Sequence, residues 1–415
     1  MSEFTTALAC ISFLILVLGF VYKKLKRSIF SEPIIALVTG IVLGPQVLHV
    51  LDMHRWGHFE KIMEVATELT ISMALMATAF RIPKDYLKKN WRLQSVLLSL
   101  GMVGMCVVST LLVHFITGLA WLPSLLLGAI VTPTDPVVSA TVVSGDTAKE
   151  LIPGRVRHAI SFESGANDGM AFPLVFLPLL LLEKPGKAWQ EWLLKSVLWE
   201  TAAAILFGLI IGYVAGQLLV RARNAGWMSK VVLLSFSLSL GLFVLAALEL
   251  IHSNGIIGVF AAGFTTNLEL DRHEDIEQEN VQEAMGRIFT IPVFVLLGLI
   301  LPWADWWAMG WKAVILVAGV LLLRRLPIIL ALGPLLRQSL PKLADLSMVG
   351  WFGPIGVAAL YYAMVCLSKT GMHEVWVISS LIVFGSTIVH GITGYPFAKM
   401  YNLWERKSSG KAHTE

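Results

Sequence analysis

The run Ser161-Phe162-Glu163-Ser164-Gly165-Ala166-Asn167-Asp168 gathers two carboxylic acids, an amide and two hydroxyls, and 14 uncharged residues follow it. A helix turns about 100° per residue, so Glu163, Ser164, Asn167 and Asp168 share roughly 140° of arc while Phe172, Val175 and Leu179 can face elsewhere. Hard oxygen ligands of this kind suit a small monovalent cation, and a carboxylate among them can take a proton instead. Upstream, Thr132-Pro133-Thr134-Asp135-Pro136 interrupts an apolar run from Leu122 to Val143. Each proline lacks an amide hydrogen and clashes with the preceding turn, so the pair unwinds the helix and frees carbonyls beside the threonine hydroxyls. Gly350-Trp351-Phe352-Gly353-Pro354-Ile355-Gly356 makes a second interruption. Glu68 and Arg324-Arg325 are further ionisable groups in apolar surroundings. A buried arginine stays charged and needs an anion, which Glu163 or Asp168 can supply.

These groups sit in a chain of 415 residues that is 56% hydrophobic and only 14% charged, with mean hydropathy +0.74. Soluble domains carry roughly 25% charged residues, and the deficit here runs the whole length. A soluble enzyme is excluded, and so is a secreted protein with one anchor. Cys10, Cys106 and Cys366 all lie in apolar segments, which leaves neither a disulfide framework nor a zinc site. The net charge of +4 comes without a basic cluster interleaved with aromatics, so membrane lipid is the expected partner and nucleic acid is not. No Walker sequence is present, which argues against ATP-driven pumping, and no cofactor is implied.

A spanning helix needs about 20 mostly apolar residues. On that template the sequence reads as an all-α polytopic membrane protein of 13 segments, among them 62–80, 119–144, 158–182, 193–220, 231–250, 312–336, 347–367 and 374–396. Lys23, Lys24, Lys26 and Arg27 follow the first segment, near 4–22, instead of preceding it, which marks a retained helix rather than a signal peptide. The odd-numbered loops and the C-terminal tail hold 23 of the 32 basic residues. Because lysine and arginine resist translocation, the N-terminus is expected outside and the C-terminus in the cytoplasm.

The transmembrane domain is expected over 1–398, with a short cytoplasmic tail at 399–415. The interrupted segments 5 and 12 take the same place in two six-helix repeats, about 1–182 and 231–398, joined by a linker helix at 193–220. Equal repeats about an odd linker have opposite membrane orientation. Matched helix breaks in inverted repeats point to the binding site of a secondary transporter. The acidic stretch 269–283 with His273 reads as an amphipathic surface helix. Trp303, Trp306, Trp307 and Trp311 read as an interfacial aromatic belt.

Thr134-Asp135-Pro136 followed by Glu163-Ser164 and Asn167-Asp168 resembles the paired helix-5 and helix-6 motifs of NhaP/NHE-type sodium/proton antiporters, in the monovalent cation/proton antiporter superfamily. Gly350-Trp351-Phe352-Gly353-Pro354 is similar to that family's second crossing helix. Arg324-Arg325-Leu326 resembles its buried arginine followed two residues later by leucine, which picks out Arg324, and Glu68 resembles the acid of its third helix. The likeness spans about 65 to 395. Ile355 departs from the arginine that many relatives carry after Gly-Pro.

The resemblance implies that Asp168 binds cation and proton alternately. The further sodium ligands expected are the Ser164 hydroxyl, the Thr134 hydroxyl or nearby backbone carbonyls, and Glu68, directly or through water; Asn167 orders the site, and Asp135 neutralises helix N-terminal dipoles. Glu163 and Arg324 form a structural ion pair. It also implies electroneutral one-for-one exchange, a homodimer and a bacterial cytoplasmic membrane. Sodium or lithium is the expected ion, with potassium the alternative. A cation channel fits two matched helix breaks less well, and an intramembrane hydrolase using Ser164 and His390 lacks a nucleophile elbow.

Overall fold

The computed structural model describes residues 3–25, 27–227, 230–270 and 275–408. Among them every regular element is helical. The first half comprises α1 (Glu3–Leu25), α2 (Glu32–Leu43), α3 (Phe59–Arg81), α4 (Tyr86–Val96), α5 (Met102–Thr117), α6 (Trp121–Ile130), α7 (Ala140–Val143), α8 (Gly145–Leu151) and α9 (Gly154–Glu183). A short α10 (Ala188–Glu191) and a π-helical stretch lead into α11 (Ala204–Asn224). The second half comprises α12 (Lys230–Leu250), α13 (Gly255–Glu269), α14 (Asp275–Leu299), α15 (Trp303–Met309), α16 (Trp311–Leu323), α17 (Leu326–Ala331), α18 (Gly333–Leu336), α19 (Leu343–Trp351), α20 (Val357–Thr370) and α21 (His373–Ser408).

Seven helices among the described residues are long and apolar enough to cross a membrane. An eighth joins them if Gly286–Leu299 and Trp303–Met309, bent by 65°, count as one span. α2, α6, α20 and Ser235–Leu250 are shorter apolar helices. Of the expected windows, 62–80, 158–182, 231–250 and 374–396 each fall on one helix, 119–144 and 347–367 on helices flanking a break, and 312–336 is divided among α16, α17 and α18. The outer faces invert the soluble pattern: Phe13, Leu16 and Phe20 of α1 point away from the protein, as side chains that meet lipid tails do. The core between the helices is built around Trp376, Tyr362, Phe294 and Phe352. This is a multi-pass membrane protein.

Both interruptions fall where proline and glycine required them. α6 ends at Ile130 and helix resumes at Ala140, with Pro133 and Pro136 between. α19 ends at Trp351 and α20 starts at Val357, across Phe352-Gly353-Pro354-Ile355-Gly356. The two extended segments touch at mid-protein, where the Asp135 N–H donates to the Pro354 carbonyl at 2.8 Å. Gly356 is obligatory at this crossing, since a Cβ there would overlap the Asp135 carboxylate. α9 runs alongside unbroken, although it contains Pro173 and Pro178. Its first turn is anchored by Arg155, which donates to both oxygens of buried Asp345 (3.0 and 3.1 Å) and to Glu405 (3.0 Å).

The last helix runs on to Ser408. One expectation changes. Trp306 is not part of an aromatic belt: it is buried, meets Trp303 edge-on and Phe384 at a tilt, and donates to the Val377 carbonyl at 3.0 Å, whereas Trp307 and Trp311 are exposed. In the acidic stretch 269–283, residues 271–274, His273 included, lie outside the described residues.

Candidate functional site

The site assembles from the α6–α7 break, the first half of α9, the α16–α17 turn and the α19–α20 break. Glu163, Ser164, Asn167 and Asp168 are all fully or almost fully buried. Asn167 is the hub. Its Oδ1 accepts the Thr134 N–H at 3.1 Å, and its Nδ2 donates to Thr134 Oγ1 (2.7 Å) and Glu163 Oε1 (3.0 Å). Thr134 Oγ1 also lies 3.1 Å from Ser164 Oγ. The α9 amide therefore holds the unwound backbone of the first break in place. Replacing Asn167 by Leu leaves these groups unpaired, which costs about 1–3 kcal/mol for a buried polar group. A clear drop in melting temperature in detergent is expected, and an unchanged melt would show that Asn167 does not carry this contact.

Asp168 differs from its neighbours. Among the described residues its buried Oδ1 has no hydrogen-bond partner, while its main-chain carbonyl accepts the Tyr362 hydroxyl of α20 at 2.6 Å. Asp135 and Glu163 bear on it electrostatically. A buried oxygen of this type is costly unless something fills its coordination.

The crossing is neutralised at both ends by opposite charges. Asp135 Oδ1 accepts the N–H groups of Val137 (2.6 Å) and Val138 (3.3 Å), and its Oδ2 accepts the Val357 N–H that opens α20 (2.6 Å). Arg324 lies at the opposite poles. It donates to the carbonyls of Val131, Thr132 and Pro133 past the end of α6, and to that of Gly353 past the end of α19. An anion at helix amide ends and a cation at carbonyl ends each offset the half-helix dipoles.

The ion pair is not the one expected. Glu163 pairs with Arg325, whose Nη1 and Nη2 reach Oε1 at 2.6 Å and Oε2 at 2.7 Å, and Arg324 takes the carbonyls instead. The cause is a break in the helix between α16 and α17, where Arg325 takes φ −116° and ψ −50°. In a regular helix adjacent side chains diverge by about 100°. The break lets both arginines point inward, each 2% exposed.

Glu68 lies elsewhere. It is half-buried on α3 with the acidic Glu249 of α12 as its electrostatic neighbour, so the expected fourth ligand keeps company with a second acid rather than with Asp168. Glu249 and Tyr362 escaped the sequence reading. The acid inside the otherwise apolar window 231–250 was the available signal for the first; a tyrosine in an apolar helix gave none for the second. Ser164 and His390 do not meet, since Ser164 faces Thr134 while His390 faces Ser386 and Trp351. That removes the arrangement an intramembrane hydrolase would need.

Two interrupted helices crossing beside a buried, unsatisfied carboxylate define a membrane transporter of the broken-helix class. A family profile described as "Sodium/hydrogen exchanger, transmembrane" matches residues 11–400, and the chain belongs to that family of transporters, which are not enzymes. It is 28% identical to Na(+)/H(+) antiporter 2 of Zygosaccharomyces rouxii over 93% of its own length and 52% of that protein. It is also 28% identical to the Na(+)/H(+) antiporter of Schizosaccharomyces pombe, over 89% of this chain and 84% of the relative. The K(+)/H(+) antiporter NhaP2 of Shewanella sp. (strain MR-4) is 27% identical over 71% of this chain and 50% of the relative. The chain thus spans about half the length of several curated relatives it matches. The solved sodium proton antiporter MjNhaP1 from Methanocaldococcus jannaschii superposes with a TM-score of 0.75 at 17% identity, covering 97% of this chain and 99% of that one, which shows a shared fold.

Proposed function

We propose that this chain exchanges a monovalent cation, sodium or lithium, for a proton by alternating access, with Asp168 as the shared site. The observation that carries the reading is the buried Asp168 oxygen without a partner, beside the hydroxyls of Ser164 and Thr134. One carboxylate in a dehydrated site is neutralised by a proton or by a cation. It does not hold both, since the second positive charge would have no counter-ion. A loaded site is neutral and can cross the barrier between the two membrane faces; an empty one carries a desolvation penalty and stays. Coupling follows from that difference alone, without ATP.

The ligands are the Asp168 carboxylate, the Ser164 and Thr134 hydroxyls and carbonyls of the first break, with Asn167 holding Thr134 in place. Asp135 and Arg324 fix the crossing. Glu68, beside Glu249, serves the approach to the site rather than the first ring of ligands. Two inverted repeats, about 1–182 and 231–398, account for the matched breaks. Charge bias supports an N-terminus outside and a C-terminus in the cytoplasm, and family resemblance supports a homodimer. Potassium is a second reading, favoured by the potassium/proton antiporters among the bacterial relatives.

Proteoliposomes carrying a pH gradient test the reading directly: sodium, lithium and potassium chloride are added in turn and gradient dissipation is followed. Loss of the gradient with sodium or lithium is expected, and dissipation by none of the three overturns antiport. Stoichiometry is the second test. With an amide at 167 and Asp168 as the lone acid of that pair, one proton exchanges for one cation, and an imposed membrane potential leaves the rate and endpoint gradient unchanged. Voltage dependence would mean that a second proton moves, for which the Glu68–Glu249 pair is the source to mutate first.

A further inference from the structure

In an uninterrupted helix the Ile355 N–H would donate to the Trp351 carbonyl, four residues back. The α19–α20 break abolishes that bond: the buried Ile355 N–H must find another acceptor, while the part-buried Trp351 carbonyl accepts the Gly353 N–H at 2.9 Å and keeps a second lone pair free for another donor. Two side chains of α21 stand between them. The Ile355 N–H donates to Ser386 Oγ at 2.7 Å, Ser386 Oγ lies 3.2 Å from His390 Nδ1, and His390 Nε2 lies 3.1 Å from the Trp351 carbonyl. Ser386 is fully buried and His390 is 2% exposed.

The donors can be ordered along this chain. Ser386 Oγ receives the amide proton, so its own hydrogen is free to point at Nδ1. With Nδ1 accepting, the imidazole carries its proton on Nε2 and donates to the Trp351 carbonyl. The Ser386 carbonyl, 3.1 Å from Nδ1, already has the helical N–H four residues on as its donor and needs nothing from the ring. One neutral tautomer therefore satisfies every group. His390 and Ser386, one turn apart on α21, are spliced into the missing backbone bond.

We infer that His390 and Ser386 are positioning residues for the exchange reaction: they template the extended segment 352–356 so that it presents its backbone to Asp135 and Arg324. The path to the ion site is short. Pro354 accepts the Asp135 N–H, Gly353 accepts Arg324, and Val357 donates to the Asp135 carboxylate. Asp135 is the chain neighbour of Thr134, whose hydroxyl faces Ser164. A slack second break would loosen the first, and the cation ligands with it.

The inference rests on the exchange reading above, and its test separates the two. Wild type, His390→Ala, Ser386→Ala, the double variant and His390→Gln are reconstituted, and initial rates are measured against sodium, lithium and potassium chloride. His390→Ala and Ser386→Ala are each expected to raise the apparent cation KM roughly tenfold, as for a buried polar group left unpaired, with a smaller change in kcat. The double variant should be no worse than about twofold beyond either single one, because both cut the same chain. Glutamine offers an acceptor and a donor about as far apart as the two ring nitrogens, and should return KM to within about threefold of wild type.

A wild type that dissipates no gradient overturns the exchange reading. An active wild type with unchanged KM in both alanine variants overturns the relay, as does a lowered melting temperature with unchanged KM, which is plain packing. If His390→Gln is as impaired as His390→Ala, a titrating imidazole is at work and the neutral relay is wrong. Should His390→Ala fail to fold, Ser386→Ala and His390→Gln decide the matter by the same criteria.

Discussion

Asp168→Asn abolishes exchange while the protein still purifies as a single folded species. The amide can neither titrate nor balance a cation, and both halves of the proposed cycle use that charge. Folding should survive because the carboxylate does little for the fold: its Oδ1 has no partner among the described residues, and the Tyr362 hydroxyl bonds the main-chain carbonyl, which the substitution keeps. An amide is also less costly than a carboxylate to bury empty, so an unchanged or slightly raised melting temperature is expected. Sodium-dependent dissipation of a pH gradient should fall to the level of empty vesicles. Activity above a few per cent of wild type in well-folded protein would move the shared site elsewhere, and Glu68 with Glu249 would be the place to look.

The parts of this molecule that local chemistry dictates were legible in the sequence. Windows of apolar residues gave the helices, since lipid admits little else. Pro133 with Pro136, and Pro354 between glycines, gave both breaks, because a ring without an N–H leaves the same mark wherever it sits. The shared face of Glu163, Ser164, Asn167 and Asp168 followed from helix phase alone, and all four are buried together.

What could not be read depends on how distant pieces meet. Glu249 lies some 180 residues from Glu68, and no spacing rule joins them. Arg324 and Arg325 exchange roles because the helix turns at that dipeptide, and a one-residue phase change decides which guanidinium meets Glu163. The Ser386–His390 relay was invisible for a different reason. Serine and histidine four apart on an apolar helix satisfy each other in countless structures, and only the position of the broken bond beside them gives the pair a task.

Removing Arg325 should cost more stability than any other single change to the site. Glu163 is fully buried and accepts two charge-assisted bonds from Arg325, at 2.6 and 2.7 Å, with a third from Asn167. Arg325 also donates to the Val349 carbonyl of α19 at 2.9 Å, so the pair fastens α9 and the α16–α17 turn to the second broken helix. Deleting one partner of a buried pair strands the other charge, at about 3–5 kcal/mol. That is a large share of the stability of most folded domains. Arg325→Met is therefore expected to yield little folded protein, and Glu163→Leu likewise. Replacing both at once removes the stranded charge, and buried pairs exchanged for apolar residues are often close to neutral. The double variant Glu163→Leu/Arg325→Met should thus melt well above either single variant. The same cycle with Arg324→Met should show no such recovery, because Arg324 serves the carbonyls of both breaks and leaves them bare whatever stands at 163. Recovery with Arg324 and not with Arg325 would restore the pairing first expected from the sequence, and the inward turn at Arg325 would then be wrong.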